Sequence, residues 1–88
     1  MVASIWVAEL RISDATAAKI SSKHGLSVAE VRASLVGVAG LQFAWDEHPA
    51  RGRRAIVEAF VDGRRVLAVL YPVNPTEGVW NLGSAYCV

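Results

Sequence analysis

Apolar and polar residues alternate from the start of the chain. Through "SIWVAELRI", residues 4–12, Trp6, Ala8, Leu10 and Ile12 fall on one side of an extended backbone and Glu9 and Arg11 on the other, which predicts a first strand. The period then changes. Ser13 and Asp14 are helix-capping types, and "DATAAKISSKHG" predicts a short helix that its alanines favour and that Thr16, Ser21 and Ser22 weaken. Gly25 suits the left-handed position just past a helix end. Ser27 and Glu30 form an S-x-x-E capping box opening a second helix at Val28. Val28, Val31, Leu35 and Val38 give that helix one apolar stripe, with Gly37 and Gly40 ending it.

After Gly40 the period is two. "LQFAW" at 41–45 predicts a strand, "DEHPARG" a polar loop, and "RRAIVEAFV-DG-RRVLAVLYPV" a hairpin. Asp62-Gly63 fits a two-residue turn that needs positive φ at both positions, so Val61 should pair with Arg64, Phe60 with Arg65 and Ala59 with Val66. That register puts Ala55, Val57, Ala59, Val61, Val66, Ala68 and Leu70 on one face, to lie beneath the helices. The other face carries Arg54, Ile56, Glu58, Phe60, Arg65, Leu67, Val69 and Tyr71, mixed in character and available for binding. "NPTEG" turns the chain once more, and "VWNLGSAY" supplies a closing strand with Trp80, Leu82, Ser84 and Tyr86 on one side. The expected fold is one α+β domain over residues 1–88, of order β-α-α-β-β-β(-β), with two helices packed on an antiparallel sheet.

Composition narrows the class without naming a function. A chain of 88 residues can build one core, and 53% hydrophobic against 19% charged residues excludes a disordered chain. Nine Lys and Arg against eight Asp and Glu leave a net charge of +1, so only local clustering could indicate a nucleic-acid partner. The sole cysteine, Cys87, can form no internal disulfide and has no zinc-ligand spacing to either histidine, which fits a reducing cytoplasm. Glu9 and Arg11 interrupt any signal-peptide core, and "VLAVLYPV" is too short to span a bilayer, so no membrane association is expected.

The clustering exists. Arg51, Arg53, Arg54, Arg64 and Arg65 fall within fifteen positions, 51–65, and a guanidinium fork matches phosphate oxygens. The same residues also suit a solvated strip of ion pairs between Arg54, Glu58 and Arg65. Lys23 and His24 sit in a last helical turn, where the free carbonyls favour a cation. His24 and His48 are also of the residue type suited to general acid–base work. Tyr71 and Tyr86 can stack on a base or exchange a proton. Ile56, Phe60, Leu67 and Val69 make an apolar patch that a partner or a second copy would cover. No phosphate loop, dinucleotide fingerprint or zinc-protease motif is present.

A likeness extends this. "RISDATAAKISSKHGLSVAEVRASL" resembles the N-terminal segment of BrnT-like proteins, a branch of the RelE/ParE-type toxins, in which a strand leads to a short helix ending in K/R-H-G. "HPARGRRAIVEAFVDGRRVLAVLYPV" resembles their arginine-bearing central hairpin, and "WNLGSAY" their last strand, which commonly closes in S-A-R or T-A-R. The resemblance implies a toxin-like, metal-independent RNA endonuclease of a type II toxin–antitoxin pair. Such an enzyme inhibits translation on free or ribosome-associated RNA, uses no cofactor and is neutralised by a cognate antitoxin. It implies transition-state contacts from Arg54 and Arg65, RNA contacts from Arg51, Arg53 and Arg64, and acid–base candidates in Lys23, His24 and Tyr86. Tyr86 stands where relatives carry arginine, and the sequence stops at Val88 without their basic C-terminal helix. The alternative is a non-catalytic relative that binds a protein partner, itself as a homodimer, or nucleic acid.

Overall fold

The central hairpin has the expected register. In the computed structural model, which describes residues 4–88, Val61 pairs with Arg64, Phe60 with Arg65 and Ala59 with Val66. Asp62 and Gly63 turn with φ of 50° and 75°, the left-handed pair that matches the twist of the flanking strands. The elements are β1 (Ser4–Ile5), β2 (Glu9–Arg11), α1 (Asp14–His24), α2 (Val28–Leu35), β3 (Leu41–His48), β4 (Gly52–Val61), β5 (Arg64–Asn74) and β6 (Val79–Cys87). Together they make a small α+β domain.

Strands β3-β4-β5-β6-β2 form one mixed sheet in that order, and β1 adds two residues to the far side of β3. All neighbours are antiparallel except β2 and β6, which run parallel. The segment 4–12 is therefore not one strand but two, at opposite edges of the sheet. Between them Val7 plunges into the core, fully buried, and bridges Val36, while Trp6 turns outward. The Gly78 carbonyl accepts the N–H of both Ala8 and Glu9, and the Trp80 indole donates to the Trp6 carbonyl at 3.1 Å. Those bonds hold the crossing segment against β6 and make continuous alternation from Ser4 to Ile12 impossible.

The helices keep their caps. The Ser13 hydroxyl accepts the Thr16 N–H, Gly25 closes α1 at φ 64°, and Ser27 and Glu30 satisfy each other's backbone N–H groups. Helix α2 stops at Leu35, a turn before the expected stripe ends. Gly37 donates to the Val7 carbonyl instead of continuing the helix, so Val38 lies in the following loop.

Strand β3 runs three residues further than expected. Asp46 and Glu47 lie opposite Arg54 and Arg53, and these cross-strand charge pairs extend the ladder through what the polar composition suggested was a loop. His48 ends it, its Nδ1 accepting the N–H of Ala50 and of Arg51.

One sheet face is the core. Ala55, Val57, Ala59, Val61, Val66, Ala68 and Leu70 are all buried on it, against Ile20 of α1 and Val31 and Leu35 of α2. Helix α2 packs against β4, and α1 against β6. The opposite, open face meets α1 at its β6 side, where His24 lies beside Tyr86 and Lys19 shares a hollow with Tyr71. No helix among the described residues is long and apolar enough to cross a membrane.

A candidate anion-binding site on the open sheet face

Two irregularities of β6 shape one end of the open face. The β5–β6 register slips between Val69 and Leu70, which pair with Ser84 and Leu82, leaving Gly83 as an unpaired bulge residue. The slip changes which side chains share a face. Trp80 and Leu82 point into the core, whereas Ser84 and Tyr86 lie with Val69 and Leu67 on the open side, so the four do not share one side as simple alternation predicted. At the bulge the missing Cβ matters: a methyl on Gly83 would overlap the Tyr71 ring, lying 2.9 Å from its Cδ2. The Gly83 carbonyl, freed from the ladder, accepts the Lys19 ammonium at 2.8 Å.

Tyr71 is the centre of the resulting cluster. Arg54 Nη1 lies 3.5 Å from its hydroxyl, and Arg54 Nε donates to Asp46 Oδ2 at 2.7 Å. Lys19, Arg51, Tyr71 and Gly83 share a shallow hollow of about 360 Å³. Burial pushes the Tyr71 phenol up, but the hydrogen bonds and charges of Arg54 and Arg51 outweigh it and hold the group below 10.0. Tyr71 in turn, with Asp46, raises the pKa of Arg54. Three cations face one carboxylate here, a surplus of positive charge around a phenol that favours an anionic guest.

The sequence-derived residues separate into groups. Arg54 and Arg51 belong to the Tyr71 cluster. Arg65 shares the open face but pairs with Phe60, six residues from Arg54 along β4 (60 − 54), roughly 20 Å away at the rise of a strand. Its Nε donates to Glu58 Oε2 at 2.7 Å. Near it stands Tyr86, opposite Leu67, with the His24 ring 6.1 Å from the Tyr86 ring. Lys23 is exposed in the last turn of α1, beside His24. Arg54 and Arg65 therefore cannot grip one phosphate together. Arg53 projects from the core side of β4 and caps the Trp45 ring at 4.0 Å, while Arg64 flanks the hairpin turn opposite Val61. Both are remote from Tyr71 in function: one stacks, the other edges the turn.

The apolar patch is uneven. Phe60 is 59% exposed, Ile56 and Leu67 are half-buried, and Val69 is buried among its neighbours.

Lys19 and Tyr71 were not among the residues singled out for catalysis. Tyr71 was within reach of pattern alone, because extending the hairpin register by one pair sets it opposite Arg54. Lys19 carried no such signal; only the docking of α1 on β6 brings it to the bulge. Comparison with protein-family models, curated proteins and solved structures finds no match to this chain.

Proposed function

We propose that the chain is a toxin-like ribonuclease that binds single-stranded RNA across the open face and cleaves it at Tyr71, without a metal ion. The supporting observation is the Tyr71 hydroxyl held beside Arg54 and Arg51 in a hollow shared with Lys19. In this reading the phenolate oxygen of Tyr71 takes the proton of the RNA 2′-hydroxyl. The 2′-oxygen forms a bond to phosphorus, the bond from phosphorus to the 5′-oxygen breaks, and that oxygen takes a proton from Lys19. The products are a 2′,3′-cyclic phosphate and a free 5′-hydroxyl. Arg54 and Arg51 stabilise the extra charge on the phosphorane, a contribution that grows in the transition state. An ammonium has three donors, so Lys19 can keep the Gly83 carbonyl while offering another N–H. The family resemblance supplies the biological frame, a translation inhibitor held in check by a cognate antitoxin.

The test is cleavage of a single-stranded RNA oligonucleotide in the presence of chelator. Cutting should yield the cyclic phosphate, fail on a substrate with a 2′-deoxy residue at the scissile position, and fall by about 10²-fold or more in Tyr71→Phe and Arg54→Ala. Undiminished cutting by both variants overturns the assignment.

A second reading has its own support, the exposure of Phe60 on the open face. Here the same surface binds a protein partner and performs no chemistry. Intact RNA after incubation, with no salt-sensitive RNA binding, would favour it.

A further inference from the structure

Pro49, Ala50 and Arg51 make the loop between β3 and β4, closed by the pairing of His48 with Gly52. Proline has no N–H, so Ala50 and Arg51 supply the loop's donors, and both go to a single atom. Each N–H donates to His48 Nδ1 at 3.1 Å. Nδ1 can accept them only while it carries no proton, so the neutral ring holds its hydrogen on Nε2. Asparagine commonly ties a turn in this way, and its amide does not titrate. Imidazole ordinarily does, between about pH 5 and 8, and its protonated form has two donors and no acceptor.

Arg51 is the loop residue that matters to the site. Against burial, the Arg54 and Arg51 side chains hold the Tyr71 phenol below 10.0, and Arg51 lines the hollow with Lys19 and Gly83. Arg54 is fixed twice, by its pairing with Asp46 in the ladder and by the ion pair the two side chains make. Arg51 has neither support. It precedes the first residue of β4, and none of the ion pairs among the described residues includes it. The direction in which its side chain leaves the backbone is set by the turn, and His48 sets the turn.

We propose that His48 is a positioning residue for the Tyr71 site: its neutral ring ties down the backbone of Ala50 and Arg51, which aims the Arg51 guanidinium at the phenol, and protonation of the ring releases it. The role rests on the reading of Tyr71 as the centre of RNA cleavage, although the geometry it invokes is measurable without RNA. Several charged or titratable groups surround the imidazole. Asp46 shares its face of β3, Arg54 stands across on β4 and Tyr71 beyond on β5. Lys19 of α1 borders the hollow, and Glu77 belongs to the neighbouring β5–β6 turn. Glu47 and Arg53 alternate to the other face. Asp46 is already taken up by Arg54. A proton on His48 therefore sets another cation beside the arginines and removes both bonds of the turn together.

The experiment compares the full chain with His48→Asn and His48→Ala. The asparagine oxygen can accept the same N–H groups at every pH, whereas alanine cannot. In the unmodified chain, heteronuclear NMR should show the Ala50 and Arg51 amides shifting with the same midpoint at which the His48 ring gains its proton. Ring NMR of Tyr71 should show its phenol titrating about 0.5 pH or more higher in His48→Ala, and close to the parent in His48→Asn. RNA cleavage at about pH 8 should fall about fivefold or more in His48→Ala and stay within about twofold of the parent in His48→Asn. Below the midpoint of the ring the parent should lose rate relative to His48→Asn, because only the parent releases Arg51. Amides that ignore the protonation of the ring, a Tyr71 midpoint unmoved in His48→Ala, or parallel acid limbs in the parent and His48→Asn each overturn the proposal. No cleavage by any of the three, with the Tyr71 midpoint still moved by His48→Ala, overturns the ribonuclease reading and upholds the positioning of Arg51. Titration of the unmodified chain decides the matter even if a variant fails to fold.

Discussion

The ring of Tyr71 rests against the backbone of Gly83, with no room between them for a methyl group. Gly83→Ala must therefore move either the ring or the strand. A displaced phenol loses its place beside Arg54, so RNA cleavage should fall about tenfold or more while the fold persists at a cost of about 1–3 kcal/mol. Chemical denaturation read beside the cleavage assay separates the two effects. A variant as active as the parent would show that Tyr71 need not stay where it is.

Titration of Tyr71 is a second check. Its pKa in the folded chain lies below 10.0, so between that lowered value and 10.0 the unfolded chain holds a proton that the folded chain has released. Stability from this group is absent below the folded value, grows as pH rises through the window and is complete above 10.0. Relative to Tyr71→Phe, the parent should gain stability on that alkaline limb. Ultraviolet difference titration of the phenolate should show Arg54→Leu raising the midpoint, because burial then acts with less opposition. A midpoint unmoved by that change would remove the electrostatic argument.

Neighbouring arginines should behave unlike each other. Arg53 lies on the Trp45 ring on the core side of the sheet. Arg53→Ala should cost about 0.5–1 kcal/mol of stability and leave RNA binding and cleavage within twofold of the parent. Arg54→Ala should do the reverse, reducing cleavage steeply with a modest stability change, since its partner Asp46 is part-exposed. Thermal melts and cleavage rates on the two proteins make the comparison.

Arg65 stands roughly 20 Å from Arg54 on the same face, six residues along β4. Its contribution should depend on substrate length. Arg65→Ala should leave affinity for a dinucleotide unchanged and weaken a ten-nucleotide strand, with a shallower dependence on salt for the longer ligand. Fluorescence anisotropy with the two lengths reads this directly, and equal losses on both would mean the strand takes another route.

The N-terminal cap of α2 is a local test of folding. Ser27→Ala removes the acceptor for the Glu30 N–H and should cost about 1 kcal/mol in denaturant titration. The backbone N–H of Ser27, followed by its side chain, lowers the Glu30 pKa from 4.5. That stabilisation is present above 4.5 and is lost as pH falls through the lowered value, so the parent's advantage over Glu30→Gln should shrink in acid.

The sequence alone determined what neighbouring residues negotiate among themselves. Ser13, Gly25, Ser27 and Glu30 satisfy orphan helix-end groups within a few positions, and Asp62-Gly63 sets a register that carries the alternation of both hairpin strands to opposite faces. Tertiary structure decided whatever depends on distant partners. Val7 leaves the strand pattern because Val36 and the carbonyl of Gly78 lie across the fold, and Gly83 breaks the parity of β6 because a bulge has no signature that distinguishes it from an ordinary glycine. Lys19 reaches Tyr71 only because α1 docks along β6. Local hydrogen bonds are chosen from a few nearby atoms and can be read in order. The approach of two strand edges or a helix and a bulge is chosen by the burial of the whole core, which no short window of residues contains.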